Sequence, residues 1–400
     1  MRILISGASV SGPVLAYWLT RYGFDVTVVE RAPEPRKVGG GHAVDLFRPA
    51  MDISEAMGVL PRIEETATGT ERMRVYAGGR RPVDLDLTKV FQAASDRHVE
   101  IMRDDLSEIY YDATRDDAEY VFGDSITKIT DDGDVEFERG APRRFDVVVG
   151  ADGLHSNVRG LTFGDEAAYT DFLGMYLGVF SVPREMAEEV TYIMHLGVGR
   201  VAGTYAARNH ADARGGFFFR TDRELDYHHR DVPRQKELLR AEFAGMHPDV
   251  DELLARMDDT PAFYFDSITQ LRMDTWSRGR VTLVGDAGYC PGPAVGGSTS
   301  LAVVGAYTLA GELAEAKGDH VRAFAAYERE MGEPVRLSRA FAKGAAKTLV
   351  PNSRPGIWAL VNGARLISAL PPGISRGLAK LNSKGVRMHD SMRVRAYAAP

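Results

Sequence analysis

A glycine-containing turn near the amino terminus constrains the fold of this chain more than any other feature. Residues 2–6 form a short apolar run, and the turn at residues 7–12 follows it. A helical pattern with apolar side chains on one face comes next, and a second, β-branched run ends in Glu30. The order strand, turn, helix, strand predicts a βαβ unit, in which a pyrophosphate can lie against backbone amides at the helix N-terminus.

The turn matches a dinucleotide-binding fingerprint imperfectly. Its first and third glycines are Gly7 and Gly12, but Ser9 stands at the middle position, where a side chain narrows the approach of a phosphate. Glu30 lies where a carboxylate accepts hydrogen bonds from a ribose hydroxyl. The alternative is an ordinary αβ turn that needs glycine only for its backbone angles.

Composition narrows the class of protein. A chain of 400 residues exceeds the size of a single hydrophobic core, so we expect two domains. The net charge of −7 and the isoelectric point near 5.9 argue against a nucleic-acid partner. Cys290 is the only cysteine, which excludes an intrachain disulfide and fits a cytoplasmic location. No apolar run approaches the roughly 20 residues that span a bilayer, so no membrane association is expected.

Hydrophobic patterns predict two sheets. Continuous apolar runs at residues 145–150 and 280–284 are typical of central strands in the nucleotide-binding sheet. Between them, residues 171–220 alternate and are rich in aromatic side chains, which predicts an inserted antiparallel sheet. Helical patterns at residues 235–244 and 249–257 are expected to lie on the edge of that sheet.

The last third of the chain is predicted to be helical. Residues 301–316 are apolar on nearly every side, which indicates a buried helix. Residues 319–350 form an amphipathic pattern that Pro334 is expected to kink or split. Residues 357–370 are expected to form a packing helix.

Two further segments place polar groups at strand ends. Residues 150–159 contain Asp152-Gly153 directly after a buried run, although such a pair is commonly only a turn. Residues 285–299 begin with Gly285-Asp286 and continue as a glycine-rich loop before the buried helix. An aspartate at a strand end is available to hydroxyl groups, and the loop presents free amides along the helix axis.

The N-terminal turn with Glu30, the Asp152-Gly153 segment and the Gly285-Asp286 segment together resemble the FAD-dependent aromatic hydroxylases. These are the single-component flavoprotein monooxygenases of the para-hydroxybenzoate hydroxylase type, which include the tetracycline-inactivating enzymes. The likeness runs in motif order from the N-terminal turn to the helix after Ser298. It implies an α/β fold with a Rossmann-like FAD-binding domain, an inserted antiparallel β-sheet substrate domain and a C-terminal helical segment.

The resemblance implies a division of the chain. Residues 1–170 with 270–320 would form the FAD-binding domain, 171–269 the substrate-binding β-sheet domain and 321–400 the C-terminal helices. The division leaves open that strands within residues 71–100 belong to the substrate domain.

The resemblance also assigns residues to FAD. The N-terminal turn would hold the pyrophosphate, Glu30 the adenosine ribose, Arg103 the ribityl-phosphate region and Asp286 hydroxyl groups. Gly296 and Gly297 would present amides to the isoalloxazine, and the segment from Gly41 to Asp45 would lie beside the ring. Asp152 and Arg159 are candidates for contacts with both FAD and NAD(P)H. The cofactor-binding residues expected in this way are Gly7, Ser9, Val10, Ser11, Gly12, Glu30, Arg31, Gly41, Asp45, Arg103, Asp152, Arg159, Asp286, Pro293, Gly296, Gly297 and Ser298.

The implied reaction is hydroxylation of an aromatic or polyketide-like polycyclic small molecule. NADPH or NADH would act as a transient reductant of tightly but non-covalently bound FAD, and O2 would add at flavin C4a to give the oxygenating hydroperoxide. Because the cofactor carries the chemistry, no catalytic residue and no metal site is predicted. The expected assembly is a monomer or homodimer.

Aromatic side chains of the second sheet are candidates for the substrate pocket. We expect some of a set of six residues to line a pocket over the flavin ring, and the alternative is that most of them are core residues. The six residues are Phe172, Tyr176, Tyr192, His195, Tyr205 and Phe217.

The sequence departs from the family pattern near the ring. Gly288-Tyr289 stands where alanine-histidine is usual, and Ser298 replaces the last glycine of the loop. Two alternatives therefore stay open. The first is the same fold with Baeyer–Villiger or reductase chemistry, and the second is a flavin-containing protein that binds a ligand without turnover.

Overall fold

The computed structural model describes residues 1–35, 41–79, 81–88, 97–260, 262–295, 297–369 and 392–398. Its strands are β1 (Arg2–Ser6), β2 (Asp25–Glu30), β3 (Ala43–Phe47), β4 (Arg72–Ala77), β5 (Val83–Asp86), β6 (His98–Met102), β7 (Glu119–Phe122), β8 (Ile126–Ile129), β9 (Asp134–Phe137), β10 (Arg143–Arg144), β11 (Val147–Gly150), β12 (Thr170–Pro183), β13 (Thr191–Gly197), β14 (Arg200–Tyr205), β15 (Asp212–Arg220), β16 (Phe263–Leu271), β17 (Ser277–Arg278) and β18 (Val281–Leu283). Its α-helices are α1 (Ser11–Arg21), α2 (Arg48–Ala56), α3 (Leu60–Glu65), α4 (Arg103–Asp112), α5 (Asn157–Phe163), α6 (Val232–Phe243), α7 (Pro248–Arg256), α8 (Asp286–Tyr289), α9 (Ser298–Glu315), α10 (His320–Leu349) and α11 (Arg354–Ala369).

A six-stranded sheet in the order β17-β18-β11-β1-β2-β7 contains the N-terminal βαβ unit. β1 pairs in parallel with β2 and with β11, so that Ile3 lies opposite Val26 on one side and Val147 on the other. The apolar runs at residues 145–150 and 280–284 supply β11 and β18, which are completely buried as strands of a parallel sheet covered on both faces. Both predicted central strands are confirmed.

The carboxyl ends of the parallel strands meet at one edge of this sheet. The N-terminal turn follows β1, Glu30 ends β2, the Asp152-Gly153 segment follows β11, and Asp286 comes shortly after β18. Neighbouring parallel strands end on the same side, so the sheet gathers motifs that are distant in sequence.

A seven-stranded sheet in the order β16-β12-β15-β14-β13-β4-β5 forms the second layer. Its neighbouring strands are antiparallel except for β4 and β13, which are parallel. The predicted sheet at residues 171–220 is confirmed, and β4 and β5 join it from residues 72–86. The fold is therefore the predicted α/β architecture, with an antiparallel sheet inserted between strands of the parallel one.

The two faces of this sheet bury different clusters. The inner face carries Met175, Leu177 and Val179 of β12 and packs against Val295 and the C-terminal half of α10. The outer face carries the alternate positions, such as Tyr176, and packs against α6 and α7. The expectation that these two helices lie on the sheet edge is wrong. Their apolar sides cover the broad aromatic outer face, and this contact buries both surfaces away from water.

The C-terminal helices close the molecule. α9 is buried along nearly its whole length, as predicted. α10 runs unbroken from His320 to Leu349, so Pro334 does not split it. Met331 and Val335 are both buried beside the proline, and this packing holds the two halves of α10 together despite the missing backbone donor. None of the helices in the described ranges is long and apolar enough to cross a membrane.

Candidate active site

Gly7 and Gly12 shape the turn between β1 and α1. Gly7 has a φ of 110°, and a Cβ on it would lie 2.5 Å from the carbonyl oxygen of Ala151. A Cβ on Gly12 would lie 1.9 Å from the carbonyl oxygen of Gly7. Both distances are too short for a side chain, so both positions require glycine. The turn therefore packs closely against the segment after β11. This contact brings two of the three predicted motifs together.

Two helices begin at this place without a side-chain cap. α1 starts after Val10, and α9 starts after Gly297, which has a φ of 81°; neither residue caps its helix through a side chain. The first amides of a helix have no intrahelical acceptor and carry the positive end of its dipole. The two helix ends therefore offer donors to anionic or polar groups of a ligand.

Residues from all three motifs line one crevice. Its volume is about 350 Å³, within the roughly 300–1,000 Å³ of small-molecule sites. The predicted cofactor residues that line this crevice are Gly7, Ser9, Val10, Ser11, Glu30, Arg31, Arg103, Asp152, Asp286, Pro293 and Ser298. Glycines that admit a close backbone approach and two uncapped helix ends fit the phosphates and polar ring edge of FAD.

Glu30 fixes the shape of the phosphate turn. Its Oε2 accepts a hydrogen bond of 2.9 Å from the amide of Ala8, and its Oε1 accepts one of 2.8 Å from the amide of Ala32. Each carboxylate oxygen can accept a further hydrogen bond, and Glu30 lines the crevice. Glu30 is thus placed to support the turn and to meet a sugar hydroxyl at the same time.

Ser9, the departure from the glycine fingerprint, contacts α4 rather than filling the turn. Its Oγ lies 3.0 Å from Oγ of Ser107 and accepts a hydrogen bond of 3.4 Å from Nη2 of Arg103. Arg103 is the first residue of α4 and lines the crevice. The serine therefore orients the arginine that the family resemblance assigns to the flavin.

The two motif aspartates are held differently. Asp152 accepts hydrogen bonds from Ser156 and from the amide of Val158, and burial raises the pKa of its carboxyl. It ties the turn after β11 to the start of α5, where Ser156 is the N-cap. Burial also raises the pKa of Asp286, against an opposing effect of Arg103. A ligand hydroxyl that donates to Asp286 would replace part of the hydration that this carboxylate has lost.

Arg159 does not reach the crevice. Its side chain is completely buried, and its guanidinium donates to the carbonyl oxygens of Ala287 at 2.8 Å and Leu154 at 2.6 Å and pairs with Glu166. These contacts hold the segment after β11 against α8. Arg159 is not among the crevice-lining residues, and its Nη1 and Nη2 donate to protein oxygens, whereas its Nε has no partner among the described residues. Its contact with FAD or NAD(P)H stays a prediction.

Four other predicted residues lie outside the crevice lining. Gly12 and Gly297 shape the backbone beside it. The amide of Gly41 donates to Asp104 at 3.1 Å, and Asp45 pairs with Nε2 of His98 at 2.7 Å across strands β3 and β6. Gly41 and Asp45 do not line the crevice, whereas His42 and Val44 between them do. Gly296 lies outside the described residues.

Tyr289 points into the helical core. Its hydroxyl accepts a hydrogen bond of 2.9 Å from Tyr327, and a Cβ on Gly305 of α9 would lie 1.9 Å from that hydroxyl oxygen. Tyr289 is almost wholly buried and does not line the crevice. The Gly288-Tyr289 departure is therefore a packing change between α8, α9 and α10.

An ionic cluster that the sequence did not predict lies at one end of the crevice. Nδ1 of His155 lies 2.8 Å from Glu166, and its Nε2 lies 3.1 Å from Asp266 of β16. Hydrogen bonds to these two carboxylates outweigh burial and raise the pKa of His155 to about 10. His155 and Asp266 line the crevice, which also receives His229, stacked on His155. No local signal joins residues so far apart in sequence.

The six pocket candidates divide between the two faces of the seven-stranded sheet. Tyr192 and Tyr205 belong with the inner side, where their rings lie 5.4 Å apart and the amide of Ala43 donates to the Tyr205 hydroxyl at 2.9 Å. The four candidates on the outer side are Phe172, Tyr176, His195 and Phe217. None of the six candidates lines the crevice, and these four lie on the face turned away from it. For Tyr192 and Tyr205 a contact with substrate stays a prediction.

The period of a β-strand explains this division between the two faces. Successive side chains point to opposite faces, so Phe218 joins the inner cluster, whereas Phe217 and Phe219 join the outer one. Both faces are apolar, and alternation of polarity cannot reveal which face is which. The inner face continues into the crevice through Tyr264, which belongs to both.

Comparisons with known proteins give one family. The family model described as "FAD binding domain" matches residues 1–332. The chain is 44% identical over 340 residues to the uncharacterized protein Rv1260 of Mycobacterium tuberculosis (strain ATCC 25618 / H37Rv), covering 82% of this chain and 89% of the relative. It is 34% identical over 381 residues to a flavin-dependent monooxygenase of Legionella longbeachae serogroup 1 (strain NSW150), covering 94% and 97%. The crystal structure of tetracycline destructase Tet(55) superimposes with a TM-score of 0.83 and 32% identity, covering 99% of this chain and 98% of the other.

Proposed function

This chain belongs to the FAD-dependent aromatic hydroxylase family of flavin-dependent monooxygenases, and we propose that it hydroxylates an aromatic or polyketide-like polycyclic small molecule with NAD(P)H and O2. The convergence of three motifs on one crevice, between two uncapped helix ends, is the observation that carries the proposal. The similarity to a tetracycline destructase supports a polycyclic substrate.

Different residues of the chain would hold different parts of FAD. The amides at the start of α1 would hold the phosphates, Glu30 the ribose, Arg103 and Asp286 the ribityl-phosphate region, and the start of α9 the polar edge of the ring. When bound, FAD supplies the redox chemistry, accepting hydride and activating oxygen. The positive end of the α9 dipole would stabilise negative charge at the ring edge, as donors do in an oxyanion hole.

The inner face of the seven-stranded sheet would orient the substrate and exclude water. Burial raises the pKa of Tyr192 to about 12, and burial also raises that of Tyr205. Both phenols therefore stay protonated near neutral pH and can donate hydrogen bonds. Apolar neighbours such as Phe218 and Met194 would exclude water from the site, which suits the oxygen chemistry that FAD would supply. This role is consistent with residues 171–269 acting as the substrate domain beside an FAD-binding domain of residues 1–170 and 270–320.

The reductant is proposed to approach from the His155 end of the crevice. His155 carries a positive charge near neutral pH because its pKa is raised to about 10 by the flanking carboxylates. His229 stacks on it with ring centroids 4.6 Å apart. Removal of both imidazoles, in His155→Gln with His229→Gln, should raise KM for NAD(P)H while leaving the bound flavin in place.

The decisive experiment follows the flavin and the oxygen atoms. The purified protein should be yellow, and a phenol or tetracycline-like compound should accelerate consumption of NADPH or NADH together with O2. Labelled oxygen from 18O2 should appear in a ring hydroxyl of the product. Label in a lactone would indicate Baeyer–Villiger oxidation instead of hydroxylation, and a product without label would indicate a reductase.

Two other outcomes would contradict the proposal more deeply. A yellow protein that neither nicotinamide reduces, with or without candidate substrates, would indicate a flavin-containing ligand-binding protein. A colourless protein that cannot be reconstituted with FAD would show that the crevice has another occupant.

A further inference from the structure

A second cleft lies between α10 and the end of β16. Its volume is about 470 Å³, and none of its lining residues lines the flavin crevice. Arg336, Arg339 and Lys343 project into it from one face of α10, and Gln270 and Arg272 border it from the end of β16. We name it the α10 cleft.

The lining of the α10 cleft contains more cationic residues than carboxylates. Its lining includes four cationic residues, which are Arg272 and the three from α10, and two carboxylates, Asp274 and Glu328. Glu328 is already engaged, because it accepts hydrogen bonds from the amide of Trp276 at 2.9 Å and from Oγ1 of Thr275 at 2.7 Å. Carboxylates outside the lining offset three of the four cations, because Asp171 pairs with Arg272 and Lys343 and Glu333 lies 3.8 Å from Arg336. Arg339 is therefore the cation that would attract an anion.

Arg339 is the cation without compensation. Its Nε and Nη2 are buried and have no hydrogen-bond partner in the described part of the chain. Burial and the neighbouring Arg272 both lower the pKa of Arg339. The other three cations each have a carboxylate nearby, since Arg272 and Lys343 lie 2.7 Å and 3.2 Å from Asp171 and Arg336 lies 3.8 Å from Glu333. An unpaired, partly buried guanidinium is unfavourable, and a bound anion would remove the penalty.

The remainder of the cleft suits an organic rather than a purely inorganic ligand. Met273, Val335 and Trp276 give it an apolar floor, and all three are buried. Oε1 of Gln270 and Nε1 of Trp276 are buried without a partner among the described residues. Both side chains are more than nine-tenths buried, so an unused acceptor and an unused donor belong to residues of the cleft wall, besides the guanidinium.

We propose that the α10 cleft is a binding site for a small organic anion, whose phosphate or carboxylate group pairs with Arg339 and whose apolar body rests on Trp276 and Val335. Arg272 and Arg336 lie at its margins. The site is separate from the flavin crevice and does not depend on the proposed hydroxylation.

The test uses the full chain saturated with FAD, so that the phosphate site at α1 is already filled. Inorganic phosphate, pyrophosphate and benzoate are added separately, and binding is followed by calorimetry and by the thermal unfolding midpoint. At least one of the three should bind and raise the midpoint of the unmodified protein. A response to benzoate alone identifies a carboxylate ligand, whereas a response to the phosphates alone identifies a phosphorylated one.

Arg339→Met should produce two opposite effects. In buffer without these anions its unfolding midpoint should rise above that of the unmodified protein, because an unpaired charge has been removed. Its affinity for the responding anion should fall by about tenfold or more. Lys347→Met is the matched control, since Lys347 is an exposed lysine of α10 outside the cleft and its loss should change neither property.

Three results would overturn the proposal. They are no response of the unmodified protein to any of the three anions, unchanged anion affinity in Arg339→Met, and an Arg339→Met protein that is less stable without anions. Should Arg339→Met fail to fold, Arg336→Met at the exposed rim takes its place, and unchanged affinity in that variant would equally count against the site.

Discussion

Gly7 shows how a single missing side chain positions the flavin site. Ala at this position would combine an unfavourable positive φ with a Cβ 2.5 Å from the carbonyl oxygen of Ala151. We expect Gly7→Ala to lose bound FAD and to lower the free energy of unfolding by on the order of 1–3 kcal/mol or more, since the backbone strain alone costs that much. Flavin absorbance and urea denaturation measure the two effects.

Gly58→Ala is the matched control for this prediction. Gly58 also has a positive φ, 76°, but a Cβ there would meet nothing within 4 Å. In Gly58→Ala the backbone strain should lower the free energy of unfolding, but the variant should retain flavin. Equal flavin contents in the two variants would contradict the idea that close approach to Ala151 builds the site.

Glu30 and Asp286 test the assignment of cofactor contacts. Glu30→Lys places a positive charge beside amides that need an acceptor, and Asp286→Ala removes a carboxylate that lines the crevice. Each variant should stay folded, as judged by circular dichroism, and lose bound flavin. Glu64→Lys, on the exposed surface of α3, should retain it. Stoichiometric FAD in both crevice variants would show that these residues do not hold the cofactor.

At the scale of elements, the contact between α8 and α9 depends on a tyrosine and a glycine. A Cβ on Gly305 would lie 1.9 Å from the Tyr289 hydroxyl oxygen. Gly305→Ala should therefore lower the unfolding midpoint, and adding Tyr289→Phe should recover part of the loss because it removes the clashing atom. Tyr289→Phe alone should cost about 1 kcal/mol for its hydrogen bond with Tyr327 and leave flavin content unchanged. Failure of the double variant to exceed Gly305→Ala in stability would refute this packing.

Adjacent phenylalanines of β15 separate the roles of the two sheet faces. Phe217 is completely buried on the outer face, and Phe218 belongs to the inner cluster. Phe217→Ala should lower the free energy of unfolding by about 3–5 kcal/mol. Phe218→Ala should cost less and instead change KM for substrate or the ratio of product to NAD(P)H consumed. Identical kinetic profiles in the two variants would mean that the inner face does not meet the substrate.

At the scale of the whole molecule, His155 links the two sheets. It follows β11 of the parallel sheet and bonds to Asp266 of the seven-stranded sheet and to Glu166. Its pKa is about 10 in the folded protein, raised from about 6.5. A raised pKa contributes stability that is fully present below pH 6.5 and is lost as the pH rises through 10.

His155→Gln should therefore flatten the alkaline limb of the stability profile. Urea midpoints of the unmodified protein should fall between neutral pH and pH 10 more steeply than those of the variant, and the gap between the two should shrink as the pH rises. His228→Gln removes an exposed histidine and serves as the control. A constant gap across this range would show that the charge of His155 does not join the sheets.

The resemblance in sequence anticipated much of the fold and only part of the site. The βαβ unit, the central strands and the buried α9 follow from apolar runs and periodicity, which are local properties. The crevice lining includes eleven of the expected cofactor residues, from Gly7 to Ser298. The two motif aspartates and Arg103 were identified because motif order places them after strands or at a helix start.

The sequence by itself determined where glycine is required and which segments end at the crevice, because turn sterics and strand periodicity act over a few residues. Only the tertiary structure decided that Arg159 is buried against Ala287, that Tyr176 and Phe217 face away from the crevice, and that His155 meets Asp266. These outcomes depend on which apolar face a sheet turns inward and on contacts between distant segments. Neither is encoded by local pattern when both faces are apolar.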